Sequence, residues 1–106
     1  MKILMDECPP HDFRLCFPNH EVHSAQWAGL KGKKNGDLIR AAESAGYAIL
    51  LSVDKGIPHQ QNLAARQLSI ILVRSRTNQI EDLTPLVGAI LEAFDKIIPG
   101  QFITVG

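Results

Sequence analysis

The sequence predicts an α/β fold, a three-layer α/β/α sandwich around a small, mainly parallel sheet, and three observations predict it. Residues 48–54 form a continuous apolar run that ends in Asp54, with Gly46 just before it and Gly56-Ile57-Pro58 just after. A run so short, with no polar alternation, is a strand covered on both faces, as in the middle of a parallel sheet. Residues 1–5 repeat the pattern and break at Asp6 and Glu7, and helical stripes alternate with such runs along the chain. That alternation is the rhythm of βαβ units.

The elements follow in order. After the first strand, Pro9 and Pro10 open a helix through Phe13, Leu15, Cys16 and Phe17, and Pro18-Asn19 ends it. Proline suits a first helical turn, where its missing N–H has no intrahelical partner to lose. Glu21-Val22-His23 is a short second strand. Gln26 to Leu30 leads into the polar, basic and glycine-rich loop 31–36. A helix then starts at Leu38, with Ala41, Ala42 and Ala45 on its stripe, Asp37 at its start and Gly46 as its C-terminal cap. The central strand comes next, then a loop or short helix through residues 60–63, and Ser69 to Val73 is a further β-branched strand ending at Arg74. Leu83, Leu86, Val87, Ile90, Leu91, Phe94, Ile97 and Ile98 mark one long helix with Thr84 as cap and Pro85 near its start, stopped by Pro99-Gly100. Residues 102–105 close the chain as an edge strand. Right-handed crossovers would then place helices on both faces.

The chain has 106 residues, with 11 basic and 11 acidic side chains. That length is expected to be one domain, residues 1–106, and with no net field any nucleic-acid binding needs a local basic patch. Cys8 and Cys16 lack a CxxC spacing, so reduced thiols are expected. No signal-peptide pattern and no apolar stretch of membrane-spanning length is visible, so the expected location is cytoplasmic, away from the membrane.

In open α/β sheets, reactive groups gather at the carboxyl ends of the strands. Asp6 and Asp54 therefore fall at one edge, with Asp37 at a helix start near it. Two carboxylates about 4 Å apart repel by roughly 4 kcal/mol at an effective dielectric near 20, and a divalent cation relieves that repulsion. All-oxygen ligands favour Mg²⁺ or Mn²⁺ over zinc. Each acid also has a plainer explanation: Asp6 and Asp54 as turn residues, Asp37 as a helix N-terminal acid. Glu7 points to the opposite side of an extended chain from Asp6, as a salt-bridge partner or a support for the site.

Several stretches taken together resemble the short stand-alone PIN-like proteins of prokaryotes, relatives of the VapC toxin ribonucleases. They are residues 1–7, Asn19-His20-Glu21-Val22, Trp27-Ala28-Gly29-Leu30, Asn35-Gly36-Asp37-Leu38, Leu50 to Lys55 and Gln60-Gln61-Asn62-Leu63. The resemblance covers nearly the whole chain and implies a Rossmann-like PIN fold. It implies Asp6, Asp37 and Asp54 as the metal-binding and catalytic acids, and Ser52 as the small hydroxyl residue before the third acid. The implied activity is Mg²⁺- or Mn²⁺-dependent hydrolysis of RNA by the toxin of a toxin–antitoxin pair, restrained by an antitoxin protein. Many PIN nucleases carry a fourth acid after the next strand. Residues 74–78 have none, and Asn78 or Ser75 stands where a metal-bound water would need support.

Lys31, Lys33, Lys34, Lys55, Arg74 and Arg76 lie in predicted loops, and Lys55, Arg74 and Arg76 are placed to hold phosphates or to form a solvated rim. The lone Trp27 is expected in or near the core rather than as a platform for bases. His20 and His23, three apart in a strand, face opposite sides and make a poor metal pair, and His11 and His59 sit in loops. No zinc frame, nucleophile motif or P-loop is present. Two further readings stand beside the nuclease. One is a degenerate PIN-like module that binds RNA or a partner without cutting. The other is a phospho-receiver with Asp54 as acceptor, which lacks the lysine expected at the end of the fifth strand. The exposed terminal strand and apolar last helix also suit a homodimer.

Overall fold

The computed structural model describes residues 2–6, 9–33, 35–53 and 67–106. Glu7, Cys8, Lys34, Asp54, Lys55, His59 and the segment expected at 60–63 lie outside them.

Five short strands form one all-parallel sheet: β1 (Lys2–Met5), β2 (Glu21–Ser24), β3 (Ile49–Ser52), β4 (Ser69–Val73) and β5 (Phe102–Val105), in the order β2-β1-β3-β4-β5. The predicted apolar runs are the three inner strands, and each is buried on both faces from Ile3 through Met5, Ile49 through Ser52 and Ser69 through Val73. The weakly marked strands, β2 and β5, are the edges. Met5 pairs with Ser24 on one side and Leu51 on the other, and Leu51 pairs with Ile71.

The alternation of side chains divides the core in two. Ile3, Met5, Ile49, Leu51, Ile71 and Val73 meet Phe13 and Phe17 from a 3₁₀ segment, His11–Cys16, together with Leu83, Ile90 and Phe94. Leu4, Leu50 and Ile70 meet Leu38, Ile39, Ala42 and Tyr47 on the opposite face. Helices thus cover both faces. Phe17 bridges Phe13 and Phe94 with ring centroids 5.2 and 5.4 Å apart, in edge-to-face contacts. His20 lies 4.9 Å from Phe94, with a buried Nδ1 that has no hydrogen-bond partner among the described residues.

Helix α1 (Asn35–Ser44) starts two residues before Asp37, which occupies its first turn. It ends in a Schellman motif: Tyr47 N–H donates to Ala42 C=O and Gly46 N–H to Glu43 C=O, both at 3.1 Å, with Gly46 at φ +86°. The expected glycine cap is therefore present. Ala45 is exposed, and Ile39 takes the buried place beside Leu38 and Ala42.

Three expectations are corrected. The first connection is 3₁₀ rather than α-helical, and its Leu15 is turned to solvent. The long last helix is three pieces: α2 (Ile80–Leu83), a 3₁₀ turn (Thr84–Leu86) and α3 (Val87–Lys96). Pro85 has no N–H for the α-helical ladder, so the chain tightens there before resuming. Thr84 does not cap the start of the helix but closes the end of α2, and its hydroxyl donates back to Ile80 C=O at 2.7 Å.

The third correction concerns handedness. The β1–β2 and β4–β5 connections step in opposite directions across the sheet, yet the 3₁₀ segment and α3 cover the same face. They therefore have opposite hands. The β2–β3 connection steps back over β1 on the other face, which gives it the hand of β1–β2. The crossovers therefore do not all share one hand, as the uniform rule would have it, and the contact of Phe94 with Phe17 accompanies that difference.

Candidate active site at the carboxyl edge

The order β2-β1-β3 means that the chain leaves β1 in one direction across the sheet and that β3 lies on the other side. Such a reversal opens a crevice beyond the carboxyl ends of the two strands, the usual ligand position in a doubly wound sheet. Asp6 follows β1 immediately, and Ser52 is the last residue of β3. Asp6 N–H donates to Leu51 C=O at 3.2 Å, continuing the ladder one residue past β1. That register sets Asp6 beside Ser52, whose hydroxyl donates to Asp6 Oδ2.

Asp6 is only 6% exposed and Ser52 is fully buried. A carboxylate removed from water is tolerated where donors replace the lost hydration. Ser52 is one such donor, and it holds one carboxylate oxygen in a set orientation. A carboxylate is a hard oxygen donor of the kind that Mg²⁺ and Mn²⁺ take, and Asp6 supplies one such group at the switch point.

Asp37 lies in the first turn of α1, which returns from the carboxyl edge of β2 toward the start of β3, so that turn belongs to this edge. Its carboxylate is 71% exposed and paired with Arg40, one turn along the helix. An exposed pair of this kind is weak. Among the described residues no group of three or more His, Cys, Asp or Glu side chains is gathered around a common point. Asp54, Glu7 and Lys55 lie outside those residues, so of the predicted acids only Asp6 and Asp37 are placed.

Beyond β4, Arg74 and Arg76 are exposed. Ser75 donates to Thr77 C=O, and Thr77 Oγ1 donates to Asp82 Oδ2 in the first turn of α2. Asp82 is an acid that the reading of residues 74–78 stops short of. However, β4 stands two strand spacings, roughly 10 Å, from β1, and Thr77 already engages one of its oxygens. Asn78 is exposed in the same loop.

The histidines divide as expected. His20 faces Phe94, and His23 faces the α1 side, where its Nδ1 is 2.9 Å from Tyr47 Oη. Tyr47 carries the ammonium of Lys2 over its ring at 4.6 Å. Burial, and then the charge of Glu21, pushes the Tyr47 phenol above its ordinary value. Trp27 overturns its expectation: it is 68% exposed, with its ring centroid 4.0 Å from that of His23. The missed signal is its place in a glycine-closed turn between β2 and a basic loop, which overrides the general preference of tryptophan for the interior. Arg14, Val22, His23, Ser24 and Trp27 line a cavity of about 230 Å³ beside it.

Among the described residues, no helix is long and apolar enough to cross a membrane. No family model, no curated protein and no solved structure matches the chain.

Proposed function

We propose that the chain is a PIN-like, divalent-metal-dependent ribonuclease whose site is the carboxyl edge between β1 and β3. The observation that carries this reading is the buried Asp6 at the switch point, oriented by the Ser52 hydroxyl. Nothing in a purely structural turn requires a carboxylate there to be desolvated and held by a neighbouring strand. In this reading Asp6 is the principal ligand of Mg²⁺ or Mn²⁺, and Asp37 and Asp54 complete the set. A hard cation so held supplies an activated water and neutralises charge on the phosphodiester. Ser52 keeps the Asp6 carboxylate facing the crevice. In this reading Arg74 and Arg76, which are exposed just beyond the end of β4, hold phosphates of the same RNA strand. The toxin role, with an antitoxin partner, rests on analogy with the family that the sequence resembles.

The test is incubation of purified protein with single-stranded RNA and Mn²⁺. Wild type cleaves, Asp6→Asn does not, and both remain folded by circular dichroism. Absence of any Mn²⁺-dependent cleavage that Asp6→Asn abolishes overturns the proposal.

One observation favours a second reading, a non-catalytic PIN-like binding module: the Asp37 carboxylate is turned to Arg40. Calorimetry distinguishes the two, since that module takes up no divalent ion. The phospho-receiver reading loses ground. The strand order suits it, but uniform right-handed crossovers would put α3 on the face of α1, whereas it packs on the opposite face.

A further inference from the structure

We infer that Trp27 and the cavity beside it form a subsite for one unpaired base of single-stranded RNA, next to the carboxyl edge. Trp27 is held from both sides. Its backbone N–H donates to Ser24 Oγ at 3.1 Å, and Ala28 N–H donates to Ser24 C=O at 3.0 Å. One ring face is tilted 34° against His23, whose Nδ1 is engaged by Tyr47 Oη. With 68% of the residue exposed, the aromatic surface is prearranged and open to a partner. Bases of every kind stack on such a surface, provided that they are not already stacked in a duplex.

The surroundings supply the rest of a nucleotide's chemistry. The Arg14 side chain lines the cavity, and Lys31 and Lys33 are exposed in the loop that follows Trp27. Those cations suit phosphates, and the Ser24 and His23 edges suit polar groups of a base. The cavity, about 230 Å³, is smaller than the roughly 300–1,000 Å³ of sites that enclose a whole drug-sized ligand, so it has room for one base. Position completes the argument. Ala25 N–H donates to Met5 C=O at 2.9 Å, which stitches the segment carrying Trp27 to the end of β1 just before Asp6. A base on Trp27 therefore lies one strand over from that carboxylate. The inference rests on the ribonuclease reading for where the RNA is cut, not for where it is held.

Trp27 is the only tryptophan in the chain, so its fluorescence reports on this subsite alone. The experiment titrates full-length protein with a ten-nucleotide oligoadenylate in EDTA, and in parallel with the same strand annealed to oligouridylate. Saturable quenching by the single strand is expected, with the duplex at least tenfold weaker. With labelled oligoadenylate in an anisotropy assay, Trp27→Leu weakens binding about tenfold and Trp27→Phe restores most of it. Three phosphate contacts give a log–log salt slope near −2, and Arg14→Gln makes it shallower by about 0.7. Absence of quenching, or Trp27→Leu binding within twofold of wild type, overturns the inference. Quenching by a protein that never cleaves leaves this subsite standing and removes the nuclease. Cleavage that Asp6→Asn abolishes, without quenching, does the reverse.

Discussion

Replacing Ser52 with alanine removes the hydroxyl that donates to Asp6 Oδ2. Ser52 is 0% and Asp6 6% exposed, so bulk water has poor access to replace the lost donor. A hydrogen bond to a charged group contributes about 1.5–3 kcal/mol, and leaving a buried acceptor short of a donor costs a similar amount. Ser52→Ala is therefore expected to destabilise the fold by about 1.5–3 kcal/mol at neutral pH. In a chain of this length that lowers Tm by something on the order of 10 °C. Urea unfolding is the assay, with the midpoint moving and the slope unchanged. In an Asp6→Asn background the acceptor is neutral, and the same serine change costs only about 0.5–1.5 kcal/mol. The double-mutant cycle should thus show a coupling of about 1 kcal/mol or more. Ser52→Ala within about 0.5 kcal/mol of the parent, or strict additivity with Asp6→Asn, would refute the idea that these groups form one buried unit.

Phe94→Ala removes the ring that closes α3 onto Phe17 and His20; a loss of about 3–5 kcal/mol in urea unfolding is expected for a buried phenylalanine. Among the described residues Gly46→Ala meets only the Lys2 ammonium, 3.9 Å from the added carbon, so its cost of about 1–2 kcal/mol comes from the left-handed backbone of the Schellman motif. Tyr47 contributes to the loss of stability at alkaline pH. Its folded phenol ionises above the ordinary value near 10 because burial, and then Glu21, opposes the phenolate. The unfolded chain loses that proton first, so the contribution is intact below about pH 10 and is lost as pH climbs toward the raised folded value. Tyr47→Phe should flatten that decline in the urea midpoint, and phenolate absorbance follows the group directly because the chain has one tyrosine.

The inner strands were legible because burial on both faces leaves no room for polar alternation, and Ile49–Ser52 and Ser69–Val73 show none outside their serines. Gly46 was legible because few other residues tolerate its backbone angle. Asp6 could be placed at the sheet edge from its position after an apolar run, and the structure adds the partner across the ladder. What stayed hidden is what one strand or helix cannot report. The stripe from Leu83 to Ile97 reads as continuous because a single 3₁₀ turn at Pro85 barely alters which residues face inward, whereas Ile98, past the end of α3, is turned to solvent. The exposure of Trp27 depends on the hydrogen bonds of its turn, and the hand of the β4–β5 connection depends on which face the last helix chooses. The Asp37 carboxylate is paired with Arg40 three residues along the helix, a local contact that the position of Asp37 at a helix start does not by itself reveal.

The meeting of Phe13 and Phe17 with Phe94 ties the first connection of the chain to its last helix. During synthesis the early phenylalanines must wait, uncovered, until α3 has left the ribosome. A nascent chain halted before α3 should consequently be sticky and protease-sensitive, and native structure should arise late and in a single step.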